Sequence, residues 1–181
     1  MQARIAPLQA PFPADIQKAF DAIMPPGVPP LILFTTLARN PQVYAKFRAG
    51  SLLDKGSLTL REREIVIDRT CARCGSEYEW GLHIAFFAER AGLSPRQIRA
   101  TVRGSSGDPV WTMHESLLLR LVDALLDAGD VDDALWGALK AAFSDEQLLE
   151  LIALIGFYRT VSFLTNALRL PLEDYAVRFP D

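Results

Sequence analysis

Between Thr59 and Ile98 the chain carries two helix starts in close succession, separated by a helix stop, and this pair constrains the fold more than any other feature. Thr59 is followed three residues on by Glu62, and Ser76 by Glu79. The spacing fits the capping box, in which the hydroxyl takes the N3 backbone N–H and the glutamate reaches back to the cap. Gly75 stands at the junction, where a residue that tolerates the left-handed conformation ends a helix. The spacing predicts one helix over 59–74 and a second over 76–91, closed by Gly92. At 100° per residue, Leu60, Ile67, Cys71 and Cys74 share an arc of the first, with Glu64 at its edge. Trp80, Ile84, Phe87 and Ala91 make the apolar stripe of the second.

Further helices are predicted over 14–24, 31–37, 41–53, 94–103, 110–128, 132–143 and 145–168. Ser94, Pro95 and Gln97 start one of them, and Ser144 with Gln147 starts the last. Turns are predicted at Gly50, Asp54 and Gly56, and longer breaks at 24–30 and 104–109. No segment alternates with period two. The expected fold is all-α, a single-domain helical bundle of about seven to eight helices, with a proline-rich segment 1–30 packing on a domain 31–181. The helix over 145–168 is apolar nearly all round, which predicts burial or a subunit interface. Arg159, a polar break in it, is expected to pair with a carboxylate.

The 181 residues are half hydrophobic, enough for one domain with a sizeable core. Net charge is −3 and the basic residues are scattered, so nucleic acid is not an expected partner. The longest apolar run, Leu151 to Tyr158, is too short to span a bilayer. Pro7, Pro11 and Pro13 stand where a signal peptide would have its apolar core. A cytoplasmic location without membrane contact is the expectation.

Glu79 and His83 lie four apart on one helix face, flanked by Phe86 and by Trp80 and Phe87. Burying such groups is costly unless they are paired. They are therefore expected to pair with each other, with Glu64 across the helix junction, or with a ligand. Cys71 and Cys74 form Cys-x-x-Cys, but at the C-terminal end of their helix, where the dipole disfavours a thiolate. They read as core residues, with a redox pair as the alternative. Zinc on Cys71, Cys74, His83 and His114 lacks the usual ligand spacing, and no metal is expected. Tyr78, Trp80 and His114 are candidates to line a pocket, although aromatics at helical spacing are more often core. His114, near Trp111 on an apolar stripe, reads first as a core histidine.

The runs R-E-R-E-I-V-I, R-C-G-S-E-Y-E-W-G-L-H and A-G-L-S resemble the carboxymuconolactone decarboxylase and alkylhydroperoxidase D superfamily. The resemblance is strongest over 57–98 and weaker across 31–173. It implies an all-helical fold built into homo-oligomers (trimers or multiples, or dimers), with the site near subunit contacts and a small molecule as substrate. In the peroxidase branch a glutamate precedes C-x-x-C-x-x-x-H; aligned on the histidine, its positions correspond to Glu64, Ser76, Glu79 and His83. The acid and the histidine are kept and the cysteines at that place are not. The decarboxylase branch resembles E-x-x-x-H, which Glu79 and His83 match. The resemblance thus implies acid/base chemistry on a small carboxylate or lactone, by Glu64, Glu79 and His83 without a cofactor. A thiol-dependent peroxidase using Cys71 and Cys74 is the alternative, and a non-catalytic scaffold is a third reading.

Overall fold

The computed structural model describes residues 3–53 and 56–181. Nine α-helices and no strand form among them. They are α1 (Ala14–Asp21), α2 (Ile32–Leu37), α3 (Pro41–Ala49), α4 (Leu60–Arg73), α5 (Glu77–Phe87), α6 (Pro95–Arg103), α7 (Met113–Asp127), α8 (Asp133–Ala142) and α9 (Asp145–Leu168). Each falls in one of the nine segments expected to be helical, so the total of about seven to eight was an undercount of those segments. Short helices such as α1 and α2 are marginal alone and depend on packing: Phe20 of α1 and Leu33 of α2 are buried in the core.

The ends differ from expectation where a local signal outweighs the wider pattern. Helix α3 stops at Ala49, before Gly50, and α1 at Asp21, short of Met24. Helix α7 begins only at Met113, because Thr112 and Glu115 close a capping box there. The turn expected at Asp54 lies outside the described residues.

Helix α4 is the central strut, packed against α5, α6, α7 and α9. Every side chain from Glu64 to Cys71 is buried. Arg69 is tolerated there because its donors are met. It forms a two-pronged pair with Asp123 at 2.9 Å and donates to the Thr101 and Gly104 carbonyls at 3.1 and 3.0 Å. This locks the register of α4 against α6 and α7. Helix α5 is fixed in turn by Trp80, whose Nε1 donates to Thr101 Oγ1 at 2.9 Å.

The C-terminal tail straps α5 from outside. Val177 N donates to the Gly81 carbonyl, and Phe179 packs on Trp80 at 5.1 Å. Gly81 permits this approach, since a Cβ there would run into the Val177 carbonyl oxygen.

Helix α9 divides into two faces rather than being buried all round. Leu148, Leu151, Leu154, Ile155, Tyr158 and Val161 enter the core, while Leu149 is 71% and Phe163 57% exposed. Helix α9 is long and apolar enough to cross a membrane by length and composition, yet its inner face is part of the core. Arg159 is exposed and lies over the Phe163 ring, with no carboxylate partner among the described residues.

Candidate active site

The junction between α4 and α5 departs from the expected capping in a way that shapes the site. Gly75 takes φ +65°. Ser76 N donates to the Cys71 carbonyl at 2.8 Å and Gly75 N to Ala72 at 3.0 Å. These two bonds make a Schellman stop for α4. The Ser76 N–H is thereby consumed, so the reciprocal half of the Ser76–Glu79 box does not form. Ser76 Oγ still caps Glu79 N, at 3.4 Å. The Glu79 carboxylate is left free of the cap and turns toward His83.

His83 stands between two carboxylates. Its Nδ1 lies 2.7 Å from Glu64 Oε2 and its Nε2 lies 3.6 Å from Glu79 Oε1. Glu64 is 1% exposed, His83 5% and Glu79 8%. The ring also meets Tyr158 edge-on at 5.0 Å and Phe87 at 5.3 Å. Burial by itself would push the histidine pKa down; the Glu64 and Glu79 carboxylates outweigh it and hold it up at about 10. At neutral pH His83 is an imidazolium. Arg63 Nε approaches Glu64 Oε1 at 3.6 Å.

Asp68, not singled out from the sequence, lies one turn below Glu64 on α4 and is buried. Burial, and then the charge of Glu64, raise its pKa well above the ordinary aspartate range, with His83 opposing. The buried carboxyl is thus biased toward its protonated form. The signal was present in the four-residue spacing from Glu64, which puts both groups on one face.

Glu79 and His83 open onto a cavity of about 240 Å³. Leu82, Phe86 and Phe87 of α5 form one wall, and Leu31 and Phe34 line it from around α2. Ile23, Met24 and Pro25, after α1, also line it, and Arg90 stands just beyond the end of α5. The segment after α1 and Arg90 were not found from the sequence. Arg90 had a signal, since it lies seven residues after His83. The segment after α1 had none, because its position depends on how α1 folds back.

The three candidates for pocket lining do not line this cavity. Trp80 is wholly buried. Tyr78 is buried too; its hydroxyl accepts from Leu33 N at 3.1 Å and donates to Glu173 at 2.6 Å, tying α2 to α5, and the residue borders a separate hollow beside α9. His114 is not a core histidine: its side chain is 43% exposed and its Nε2 lies 2.7 Å from Glu62. It borders a larger hollow of about 660 Å³ along α7, which Glu62 does not line.

Cys71 and Cys74 are both free; Cys71 is buried and Cys74 half-buried at the C-cap of α4. Neither thiol lines the cavity. Burial raises both thiol pKa values, and the charge of Glu79 pushes Cys71 further. No group of three or more His, Cys, Asp or Glu side chains is arranged for a metal among the described residues.

Residues 39–109 match the carboxymuconolactone decarboxylase family. No curated protein matches the chain. A peroxidase-related protein of uncharacterised function from Silicibacter sp. TM1040 has the same fold, with TM-score 0.81, 18% identity, and coverage of 98% of this chain and 97% of its own. A second such protein, with an alkylhydroperoxidase AhpD core and from Ralstonia eutropha JMP134, gives 0.80 at 21% identity, covering 96% and 95%. The debrominase Bmp8, solved as a cysteine-to-alanine variant with 2,3,4-tribromopyrrole, gives 0.72 at 17% identity, covering 97% and 94%.

Proposed function

With residues 39–109 matching the carboxymuconolactone decarboxylase family and the fold shared with peroxidase-related proteins, we propose that the chain is a member of that superfamily and an acid/base enzyme of the decarboxylase type, acting on a small carboxylate or lactone. The observation that carries the proposal is His83, bridging Glu64 and Glu79 at the base of the cavity. Glu64 holds the imidazole oriented and charged. Nε2, on the side of Glu79, is the proton donor. Glu79 Oε2 is buried without a hydrogen-bond partner, so it is an acceptor waiting for a substrate proton. In a decarboxylation the substrate carboxylate loses its bond to carbon, and the electron pair stays behind as an enolate. His83 then gives its proton to that carbon and regains one from solvent. No cofactor is part of the scheme.

The free thiols are consistent with a reducing, cytoplasmic setting. The exposed apolar stripe of α9, with Leu149, Ile152 and Phe163, supports self-association. Phe163→Glu would shift the protein to a smaller species in light scattering, and an unchanged mass would remove that face from consideration.

The test is a panel of lactone acids, followed by CO2 release and by deuterium uptake from solvent. Activity is expected to vanish in His83→Gln and to persist in Cys71→Ser and Cys74→Ser, with thermal melts confirming that each variant folds. The rival is a thiol peroxidase, in keeping with the peroxidase-related fold relatives. Dithiol-dependent hydroperoxide consumption that disappears in either cysteine variant would overturn the proposal.

A further inference from the structure

The Glu79–His83 cavity has opposite polarity at its two ends. At one end Glu79 is more than nine-tenths buried, and its Oε2 has no hydrogen-bond partner. At the other end stands Arg90, the only arginine or lysine among the described lining residues. Arg90 makes no ion pair among the described residues; its guanidinium lies over the Phe87 ring, 5.7 Å from the centroid. Helical pitch persists to this point, since Ala91 N donates to the Phe87 carbonyl at 2.8 Å. Arg90 is therefore two turns beyond His83 on the same face, about 10 Å along the axis. Between the two ends the wall is apolar and largely aromatic: Phe34, Leu82, Phe86 and Phe87.

Each feature limits the ligand. The volume of about 240 Å³ falls below the roughly 300–1,000 Å³ of pockets for drug-sized molecules, which limits the occupant to about one ring. Aromatic walls favour a flat apolar body. An unpaired guanidinium at the mouth favours an anionic head, because planar carboxylates accept two of its donors at once. An unmet buried carboxylate oxygen calls for a donor on the ligand.

We propose that the cavity binds a one-ring organic monoanion lengthwise, with its anionic group on Arg90, its apolar body against the aromatic wall, and a hydroxyl or other acidic X–H donating to Glu79 Oε2. This deepens the function proposed above and rests on it only for treating Glu79 and His83 as the reacting end. Arg90 then sets which substrates enter and in which direction they lie.

The experiment is equilibrium binding by calorimetry at neutral pH, with para-hydroxyphenylacetate, its neutral amide and the cation tyramine as probes. The acid is expected to bind about tenfold more tightly than the amide, and tyramine more weakly than both. In Arg90→Gln the acid should fall to the level of the amide while the amide is unchanged; Arg90→Lys should keep part of the preference. Glu79→Gln should weaken acid and amide alike. Arg90 is exposed, so its variants leave the core intact. Preference for tyramine, equal binding of acid and amide, an acid preference that survives Arg90→Gln, or no binding of any probe would each overturn the proposal. The two readings fail separately. Binding with these preferences but without proton-transfer chemistry would sink the enzyme reading alone, and turnover indifferent to Arg90 would sink this one alone.

Discussion

The two histidines of this chain make the same hydrogen bond in different surroundings. His83 Nδ1 and His114 Nε2 each lie 2.7 Å from a glutamate of α4, Glu64 in one case and Glu62 in the other. Two residues along a helix is a rotation of about 200°, so the two carboxylates leave α4 on nearly opposite sides. One side chain pair is 5% and 1% exposed, the other 43% and 13%. Solvent screens the His114 pair, as it does most surface ion pairs. Around His83 the medium is poor in water, so its two carboxylate neighbours hold the ring charged far above the ordinary histidine range. Contact geometry alone does not distinguish the proposed proton donor His83 from His114. The second carboxylate, the burial and the open cavity beside Nε2 separate these two sites.

The largest expected difference comes from removing each glutamate. Glu64→Gln should cost about 3–5 kcal/mol in urea denaturation, because it leaves a buried charge without its partner. Glu62→Gln should cost less than about 1 kcal/mol, since the pair is partly solvated and glutamine still completes the Thr59 cap. Equal costs would remove burial as the distinction between the sites.

The pH dependence sharpens the same contrast. The folded-state pKa of His83, about 10, lies above the ordinary histidine value of 6.5. A group raised in this way stabilises fully below its unfolded pKa, and the stabilisation is lost as pH rises from 6.5 through about 10. Stability measured across that range should fall, and turnover that uses the imidazolium should fall with it. A ring that titrates by NMR at or below the ordinary value would break the scheme.

Asp68→Asn is the smallest of the three effects. The pKa of Asp68 is raised in the folded protein, chiefly by burial, so ionisation favours unfolding as pH rises above 3.8. The asparagine variant should be more stable at neutral pH by about 1 kcal/mol, with the gain disappearing below the ordinary aspartate pKa. A loss of stability at neutral pH would mean that the charged form is the one the fold holds.

Much of this arrangement was legible in the residues. Capping pairs and helix-stopping glycines marked most of the helices. The i,i+4 spacing marked Glu79 and His83 as one face, and the thiolate is disfavoured at Cys71 and Cys74, through burial first and not through the helix dipole invoked from the sequence. Other parts misled for local reasons. The Ser76–Glu79 signature looked like a closed box, but the α4 stop takes the Ser76 N–H first. His114 looked internal because its neighbours are apolar, yet its side chain leaves the core for Glu62. Trp80 and Tyr78 carry aromatic bulk that serves to pin α5, with Thr101 holding one and Leu33 and Glu173 the other.

The sequence by itself determined the helices, their order and the pairing of Glu79 with His83 on one helix face. These depend on capping, on glycine conformation and on a 3.6-residue period, all of which act within a few residues. Only the tertiary structure decided that Glu64 reaches His83, that Asp68 lies buried beside Glu64, and that the segment after α1 lines a cavity ending at Arg90. Those facts rest on the crossing of α4 with α5 and on the fold-back of the N-terminal segment. Such crossings arise from packing among residues far apart in the chain, and no local spacing encodes the angle.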